Sequence, residues 1–155
     1  MTESRIDSTD RKLLSLLQRQ AAQTSQELGD ALHLSPSQAG RRKQRLENEG
    51  YILGYHAKLD ASKVGLSIQA LVQVEMRQHG TKQAADFRSL IDDTKAVVSA
   101  WTLTGESDYL LLVYCEDLAA LNSLIQEVLL GNPDVARVKS QIVIDQYKQG
   151  APLPL

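Results

Sequence analysis

The residues best suited to chemistry in this chain lie in a basic run between Ser35 and Gly50. Arginine can bind guanine edges or phosphate oxygens through its guanidinium group, and glutamine can pair with adenine through its amide. At about 100° per residue, a helix over this run buries Ala39 and Leu46 and turns its polar side chains outward. The candidate DNA-binding residues are Ser35, Ser37, Gln38, Arg41, Arg42, Gln44 and Arg45. Taken alone, the run is equally typical of the solvated face of a surface helix.

Capping signals define this helix at both ends. Ser35 stands at the N-cap, with Pro36 at the first helical position and Gln38 completing a Ser-x-x-Gln capping box. Gly50 supplies the left-handed residue that commonly ends a helix. The sequence therefore predicts a helix over most of residues 35–50.

Two further helices are predicted before this run. Residues 6–17 carry an apolar stripe at helical spacing, with Asp7 or Ser8 available as the cap. Residues 24–27 form a second capping box, which begins a short helix. The residues expected to face its core are Leu28, Ala31 and Leu32. Three helices with a tight turn between the last two predict a helix-turn-helix domain, and two capping boxes this close together favour DNA binding over a plain surface helix.

Composition places the chain among folded proteins of the cytoplasm. Of its 155 residues, 43% are hydrophobic and 23% are charged, and no apolar run approaches the roughly 20 residues that a membrane span needs. Cys115 is the single cysteine, which excludes a disulfide framework, and the first residues lack a signal-peptide pattern. Residues 1–60 carry a net charge of +1 and the remainder −3, so basic charge is concentrated on one helix of an otherwise acidic chain.

A linker divides the chain into two predicted domains. Residues 51–59 are typical of short extended pieces hinged at Gly54, as in the wing of a winged helix. The segment from Asp60 to Gly65 is polar and rich in turn residues. We therefore expect a DNA-binding domain over residues 1–60 and a second domain over residues 61–155.

The second domain alternates strand and helix patterns. The predicted elements are a strand over residues 68–77, a helix over 81–93, strands over 97–104 and 109–114, a helix over 117–130 and a strand over 135–144. The first of these helices is expected to bury Ala84, Phe87 and Ile91. The order βαββαβ is that of a ferredoxin-like sandwich, with both helices on one face of the sheet.

The other face of this sheet is expected to be an interface. Leu71, Val113 and Val143 cannot all be covered by two helices on one side. An uncovered and mostly apolar sheet face predicts contact with another subunit.

Catalytic and metal-binding patterns are weak throughout. His33, His56 and His79 lie far apart without metal-ligand spacing, and Cys115 ends an apolar strand as a small buried side chain would. The chain contains no phosphate-binding glycine motif and no nucleophile elbow. We therefore expect neither a cofactor nor an enzymatic activity.

Taken together, these features resemble the Lrp/AsnC family of leucine-responsive and asparagine-type regulators, over about residues 6–147. The motifs that carry the resemblance are Ile6-Asp7 with Asp10, Leu34-Ser35-Pro36-Ser37, Leu46-Glu47 with Gly50-Tyr51-Ile52, Gly54-Tyr55, and Gly105-Glu106-Ser107-Asp108-Tyr109. The resemblance implies an α+β protein with an N-terminal helix-turn-helix domain that binds operator DNA and a ferredoxin-like domain that binds a small effector, usually an amino acid. It also implies homodimers joined through the second-domain sheets, which often assemble into octamers.

The resemblance places the effector near the loop of the predicted hairpin. The candidate effector-binding residues are Thr104, Gly105, Glu106, Ser107, Asp108 and Tyr109. Asp108 can accept hydrogen bonds from an ammonium group, and Gly105 permits close approach of the backbone. The loop departs from the usual Gly-Asp-x-Asp-Tyr at Glu106, which bears on the identity of the ligand. Without the resemblance, the loop is typical of a plain hairpin in which aspartate caps a turn.

Two alternative functions remain open on the sequence. Some proteins with this two-domain plan decarboxylate sirohaem, but they have no evident need for a basic recognition helix, whereas this chain retains Arg41, Arg42, Lys43 and Arg45. The second alternative is an amino-acid sensor that does not bind DNA.

Overall fold

Three capped helices begin the fold in the computed structural model, which describes residues 6–78 and 80–155. They are α1 Ser8–Arg19, α2 Ser25–Leu32 and α3 Pro36–Asn48. Each starts with a full capping box, at Asp7, Thr24 and Ser35, in which two side chains satisfy backbone N–H groups that the helix cannot. The predicted capping signals are therefore confirmed, and of the two candidate caps of α1 the structure uses Asp7.

The three helices share one apolar core. The buried residues that form it are Leu13, Leu17, Leu28, Ala39 and Leu46. The expectation for α2 was wrong at Ala31, which is exposed, whereas Gly29 is buried. The difference arises because Gly29 faces the turn and the start of α3, whereas Ala31 lies about 200° further round the helix, on its outer side.

The segment after α3 forms no strand, so the predicted wing is wrong. Gly50 adopts a positive φ of 75°, and the N–H groups of Tyr51 and Ile52 both donate to the carbonyl of Leu46, at 2.9 and 3.2 Å. These bonds fold the chain back onto the end of α3. A short 3₁₀ turn, Ser62–Val64, follows.

A four-stranded antiparallel sheet organises the second half of the chain. Its strands are β1 Ile68–Met76, β2 Val97–Thr102, β3 Tyr109–Cys115 and β4 Val135–Ile142, in the spatial order β2-β3-β1-β4. The intervening helices are α4 Thr81–Asp93 and α5 Leu118–Ser123, which continues as a π-helix over Leu124–Leu129. This confirms the βαββαβ order, although β2 and β4 each end two residues earlier than predicted.

The helices cover one face of this sheet. Ala70, Val72 and Val74 of β1 are fully buried, and they pack with Phe87 and Ile91 of α4 in the core. The prediction for Ala84 was wrong, because this residue is exposed beside a cavity of about 740 Å³ between α4 and β2.

The opposite, open face carries two of the three residues that were predicted to lie on it. Val113 pairs with Ala70 and is fully buried under the helices, so its assignment to the open face was wrong. Leu71 and Val143 are partly exposed, as that assignment required. The open face also carries Leu112, which is the direct cross-strand partner of Leu71.

The chain divides into two compact units. The first comprises the N-terminal residues to Lys58 together with the tail Lys148–Leu155, and the second spans Leu59–Tyr147. The tail is therefore part of the first unit. The Leu153 N–H donates to Gln18 Oε1 of α1 at 2.6 Å, and Gln18 Nε2 donates to the Leu153 carbonyl at 3.4 Å. Among the described residues, no helix combines the length and apolar character needed to cross a membrane.

Candidate functional site

The turn between α2 and α3 brings the two helices close together. His33 ends α2 in the left-handed conformation, with φ of 56°, and the N–H of Leu34 donates to the carbonyl of Gly29 at 2.9 Å. A Cβ added to Gly29 would lie 2.7 Å from the carbonyl oxygen of Leu34, so only glycine fits this crossing without movement of the backbone. The tight turn fixes the direction in which α3 leaves the domain.

The polar residues of α3 fall into groups with different surroundings. Ser37, Arg41 and Gln44 are exposed and lie within about 60° of arc on the side opposite the fully buried Ala39 and Leu46. A helix that buries two small apolar residues and exposes amide, hydroxyl and guanidinium groups has the chemistry of a major-groove reader.

The side chains of Ser35 and Gln38 form the capping box at the start of α3. The Ser35 N–H donates to Gln38 Oε1 at 3.0 Å, and the Gln38 N–H donates to Ser35 Oγ at 3.3 Å. The sequence analysis named both residues as caps and as DNA-binding candidates. The structure shows the capping bonds.

Arg42 and Arg45 turn back towards α1 and bind its carboxylates. Arg42 Nη1 lies 2.7 Å from Asp7 Oδ2 and 2.8 Å from Asp10 Oδ1, and Arg45 Nη2 lies 2.5 Å from Asp10 Oδ2. Asp10 is 1% exposed, so its charge is compensated almost entirely by the two guanidinium groups. Hydrogen bonds to Asp7 and Asp10 raise the pKa of Arg42, and the bond to Asp10 raises the pKa of Arg45.

Because of these ion pairs, the positive charges of Arg42 and Arg45 are already paired with carboxylates. Reasoning from periodicity missed them, because the partners are 32 to 35 residues apart in sequence. The only signal was the motif Ile6-Asp7 with Asp10, which periodicity alone did not connect to the basic run.

Tyr55 packs against the remaining lysine of the basic run. The Lys43 ammonium lies 5.1 Å from the centre of the Tyr55 ring, and Tyr55 Oη donates to Glu47 Oε1 at 2.9 Å. Desolvation, followed by the hydrogen bond to Glu47, raises the pKa of Tyr55 to about 12, so the phenol stays protonated and keeps donating. The segment after α3 is thereby attached to α3 itself.

The hairpin loop between β2 and β3 is attached to the neighbouring strand β1. The Met76 N–H donates to Asp108 Oδ2 at 2.7 Å, and the Asp108 N–H donates to the carbonyl of Val74 at 3.0 Å. The ladder between β1 and β3 ends where Val74 lies opposite Tyr109, which leaves the Met76 N–H, on the β3 side of the strand, available to the carboxylate. Asp108 therefore holds the loop in position, while Gly105 adopts a φ of 123° at its tip.

The predicted loop residues divide between two cavities. Glu106 and Ser107 line a cleft of about 320 Å³ on the open face of the sheet. Asp108 and Tyr109 line a different cavity, of about 340 Å³, on the helix side. Thr104 and Gly105 are exposed at the tip of the loop.

The open-face cleft combines both signs of charge. Its lining is completed by four residues from β1 and β4, which are Gln73, Glu75, Arg137 and Lys139. Strand register places Glu75 opposite Arg137 and Gln73 opposite Lys139, and Arg137 Nε lies 3.9 Å from Glu75 Oε2. Two carboxylates and two cations around one small cleft can bind a zwitterion. Sequence reasoning missed the four strand residues, which read only as the polar side of alternating strands.

The remaining candidate groups are scattered. His33 ends α2 and His56 is exposed on the linker, whereas His79 lies outside the described residues. Cys115 is buried, and burial together with Asp117 raises the pKa of its thiol. Within the described part of the chain, no three His, Cys, Asp or Glu residues are grouped to hold a metal ion.

Comparison with known proteins connects both units to one family of regulators. Residues 6–47 match the AsnC-type helix-turn-helix domain, and residues 69–153 match the Lrp/AsnC ligand binding domain. The DNA-binding transcriptional activator DecR of Escherichia coli is 30% identical over 150 residues, which cover 97% of this chain and 99% of that protein. The leucine-responsive regulatory protein of Rhizobium meliloti is 32% identical, with 92% of each chain covered.

Solved structures show the same architecture. A transcriptional regulator from Neisseria meningitidis, crystallised as a complex with L-Met, is 33% identical and superposes with a TM-score of 0.92 over 97% of each chain. An AsnC family regulator from Agrobacterium tumefaciens is 28% identical, with a TM-score of 0.89 over 96% of this chain and 97% of that one.

Proposed function

Because the chain belongs to the Lrp/AsnC family of DNA-binding transcriptional regulators, we propose that α3 reads operator DNA and that the second unit binds an amino-acid effector. The observation that carries the first part is the exposed polar face of α3, with a buried apolar face behind it. The observation that carries the second is the cleft of mixed charge beside the hairpin loop. We place its site of action in the cytoplasm, where an operator is accessible.

Ser37, Arg41 and Gln44 are the side chains we propose for base contacts. They lie on the exposed face of α3, where a guanidinium and an amide can reach base edges in the major groove. Ser35 and Gln38 are proposed to offer their remaining groups to the phosphate backbone at the start of the helix. Arg42 and Arg45, which the sequence also proposed, support α3 through Asp10 rather than presenting unpaired charges.

Arg41 provides the sharpest test of this assignment. Arg41→Ala is expected to weaken operator binding by about 1–3 kcal/mol if the side chain contacts a base, with little change on duplexes of unrelated sequence. Lys12→Ala removes an exposed positive charge from α1 and serves as the matched control. Fluorescence anisotropy on operator and scrambled duplexes measures both affinities. Equal binding of the operator by Arg41→Ala, Gln44→Ala and the native protein would refute the proposed face.

The effector we propose is a free amino acid held in the open-face cleft. Glu75 and Glu106 can accept hydrogen bonds from the ammonium group, and Arg137 and Lys139 can bind the carboxylate. A volume of about 320 Å³ lies at the small end of the range of about 300–1,000 Å³ for small-molecule sites. Asp108 contributes by holding the loop against β1, as its bond to Met76 suggests.

Calorimetric titration with each of the twenty amino acids tests this site. L-Met is the first ligand to try, since a similar regulator has been crystallised with it. Glu106→Gln and Lys139→Gln should each abolish or strongly reduce the heat of binding, whereas Lys95→Gln, which alters an exposed lysine outside the cleft, should not. Binding of none of the twenty would exclude an amino-acid effector, and binding unaffected by both cleft variants would exclude this location.

A homodimer is proposed to form through the open sheet face. Leu71 and Leu112 pair directly across strands on that face and remain partly exposed in the isolated chain. Pairing would place two copies of α3 on one duplex, with half-sites separated by about 34 Å or a multiple of it. Because the cleft lies on the same face, an amino acid bound there can alter assembly. Light scattering with and without the amino acid distinguishes the dimer from the octamer that the resemblance implies.

A further inference from the structure

The basic run of α3 carries less available charge than its sequence indicates. Asp7, Asp10, Arg42 and Arg45 form one connected network with a net charge of zero. Both oxygens of Asp10 are used, Oδ1 by Arg42 and Oδ2 by Arg45. The exposed Glu49 adds a weaker attraction to Arg45.

The burial of Asp10 makes this pairing persistent. Its side chain is 1% exposed, whereas those of Arg42 and Arg45 are 32% and 39% exposed. If a DNA phosphate drew the guanidinium groups away, a buried carboxylate would be left without compensation, which is strongly unfavourable. The arginines therefore remain with Asp10 when the helix approaches DNA.

We infer that Asp10 is a specificity-determining residue, which suppresses sequence-independent binding by neutralising two arginines next to the base-reading face. The inference rests on the proposed reading of DNA by α3. Attraction to phosphates is the main source of non-specific affinity and carries no sequence information. With Arg42 and Arg45 neutralised, the exposed Ser37, Arg41 and Gln44 supply a larger share of the binding, and the ratio of specific to non-specific affinity rises.

Graded removal of the two carboxylates gives a quantitative expectation. Asp10→Asn removes the buried carboxylate from Arg45 and leaves Asp7 bound to Arg42. One guanidinium released to a phosphate should tighten non-specific binding about fivefold at 150 mM salt and steepen the log–log salt dependence by about 0.9. The double variant Asp7→Asn with Asp10→Asn should release both arginines, giving about thirtyfold and a slope change of about 1.8. Asparagine also serves as an N-cap at position 7, and at position 10 its side-chain oxygen can still accept from the Asp7 N–H, so α1 should retain its start.

The experiment measures binding of the full-length protein to a random-sequence 30-base-pair duplex and to an operator duplex, by fluorescence anisotropy between about 50 and 300 mM salt. Asp30→Asn is the matched control, because it removes one exposed carboxylate from α2 while asparagine can keep the hydrogen bond to Gln26. The expected result is tighter, more salt-dependent binding of the random duplex by Asp10→Asn than by Asp30→Asn, with a reduced operator preference. Equal behaviour of these two variants would overturn the inference.

A neutral variant keeps the inference testable if Asp10→Asn does not fold. In the quadruple variant Asp7→Asn, Asp10→Asn, Arg42→Gln and Arg45→Gln, all four charges of the network are removed together, so its net charge of zero is kept. Its salt slope on the random duplex should equal that of the native protein, because the native arginines are already neutralised. A slope shallower by about 2 would show that the arginines bind phosphates themselves and would overturn the inference. If the native protein bound no duplex at all, the proposed function would fail as well, which is a distinct result.

Discussion

Replacing glycine by alanine should lower the stability of the protein at Gly29 and raise it at Gly40. A Cβ on Gly29 would meet the Leu34 carbonyl oxygen at 2.7 Å, and that oxygen belongs to the turn between α2 and α3. A Cβ on Gly40 would meet Ser25 Oγ at 3.1 Å, at the end of a side chain that can rotate. The same change from glycine to alanine therefore meets a fixed obstacle at one site and a movable one at the other.

The expected magnitudes follow from two competing effects. Alanine is favoured over glycine inside a helix by about 1 kcal/mol, whereas forcing atoms into a packed contact destabilises a protein by about 1–3 kcal/mol. At Gly29 the Leu34 backbone also donates to the Gly29 carbonyl, so it cannot withdraw freely, and we expect a net destabilisation of about 1–2 kcal/mol. At Gly40 we expect a stabilisation of about 0.5–1 kcal/mol. In a unit of this size, each kcal/mol shifts the melting temperature by about 4–8 °C.

Thermal melts of the full chain by circular dichroism, with hydrogen exchange of the amides in α2 and α3, measure both effects. Trp101 is the only tryptophan in the sequence and lies in the second unit, so its fluorescence provides an internal reference. Gly29→Ala should lower protection in the helices and Gly40→Ala should raise it. If Gly29→Ala stabilised the protein as much as Gly40→Ala, the steric account of the turn would be refuted.

Three further changes have expected outcomes. Backbone N–H groups within their capping boxes lower the pKa of Asp7 and of Glu27, so the unfolded chain binds protons first and stability should fall as the pH drops below about 4.5; melts that do not change between pH 3 and 6 would contradict this. His33→Gly should stabilise the protein by about 1 kcal/mol in urea unfolding, because His33 is left-handed, and an equal gain in His33→Ala would argue against that cause. Leu112→Lys should convert the proposed dimer to a monomer in light scattering, whereas a dimer that persists would rule out the open face.

Local signals in the sequence predicted most of the fold. Capping boxes at Thr24 and Ser35 and the alternation over residues 68–76 depend on neighbours within a few positions, which the sequence displays directly. The face to which Val113 belongs could not be predicted in the same way. Residues 109–115 are apolar on both sides of the strand, so the sequence pattern does not show which residues face the helices. Only the pairing of Val113 with Ala70 shows that Val113 faces them.

The candidate sites were harder to predict because they depend on contacts between distant segments. The cleft needs the register of β1 against β4, which places Glu75 opposite Arg137 and which no local pattern contains. Asp108 was proposed as a ligand to an ammonium group, but its binding to the Met76 N–H depends on where the pairing of β1 with β3 ends. Prediction from residue type alone therefore did not anticipate that this aspartate holds the loop against β1.

The basic run illustrates how burial decides the meaning of a charge. Counting residues 41–45 gives four cations, yet a cation contributes to DNA affinity only if its charge is not already neutralised. Asp10 is buried because α1 and α3 pack together, and a buried carboxylate retains its partners more firmly than an exposed one would. We therefore expect the carboxylates of Asp7 and Asp10 to set the non-specific DNA affinity of α3, which cannot be estimated from the sequence of α3 alone.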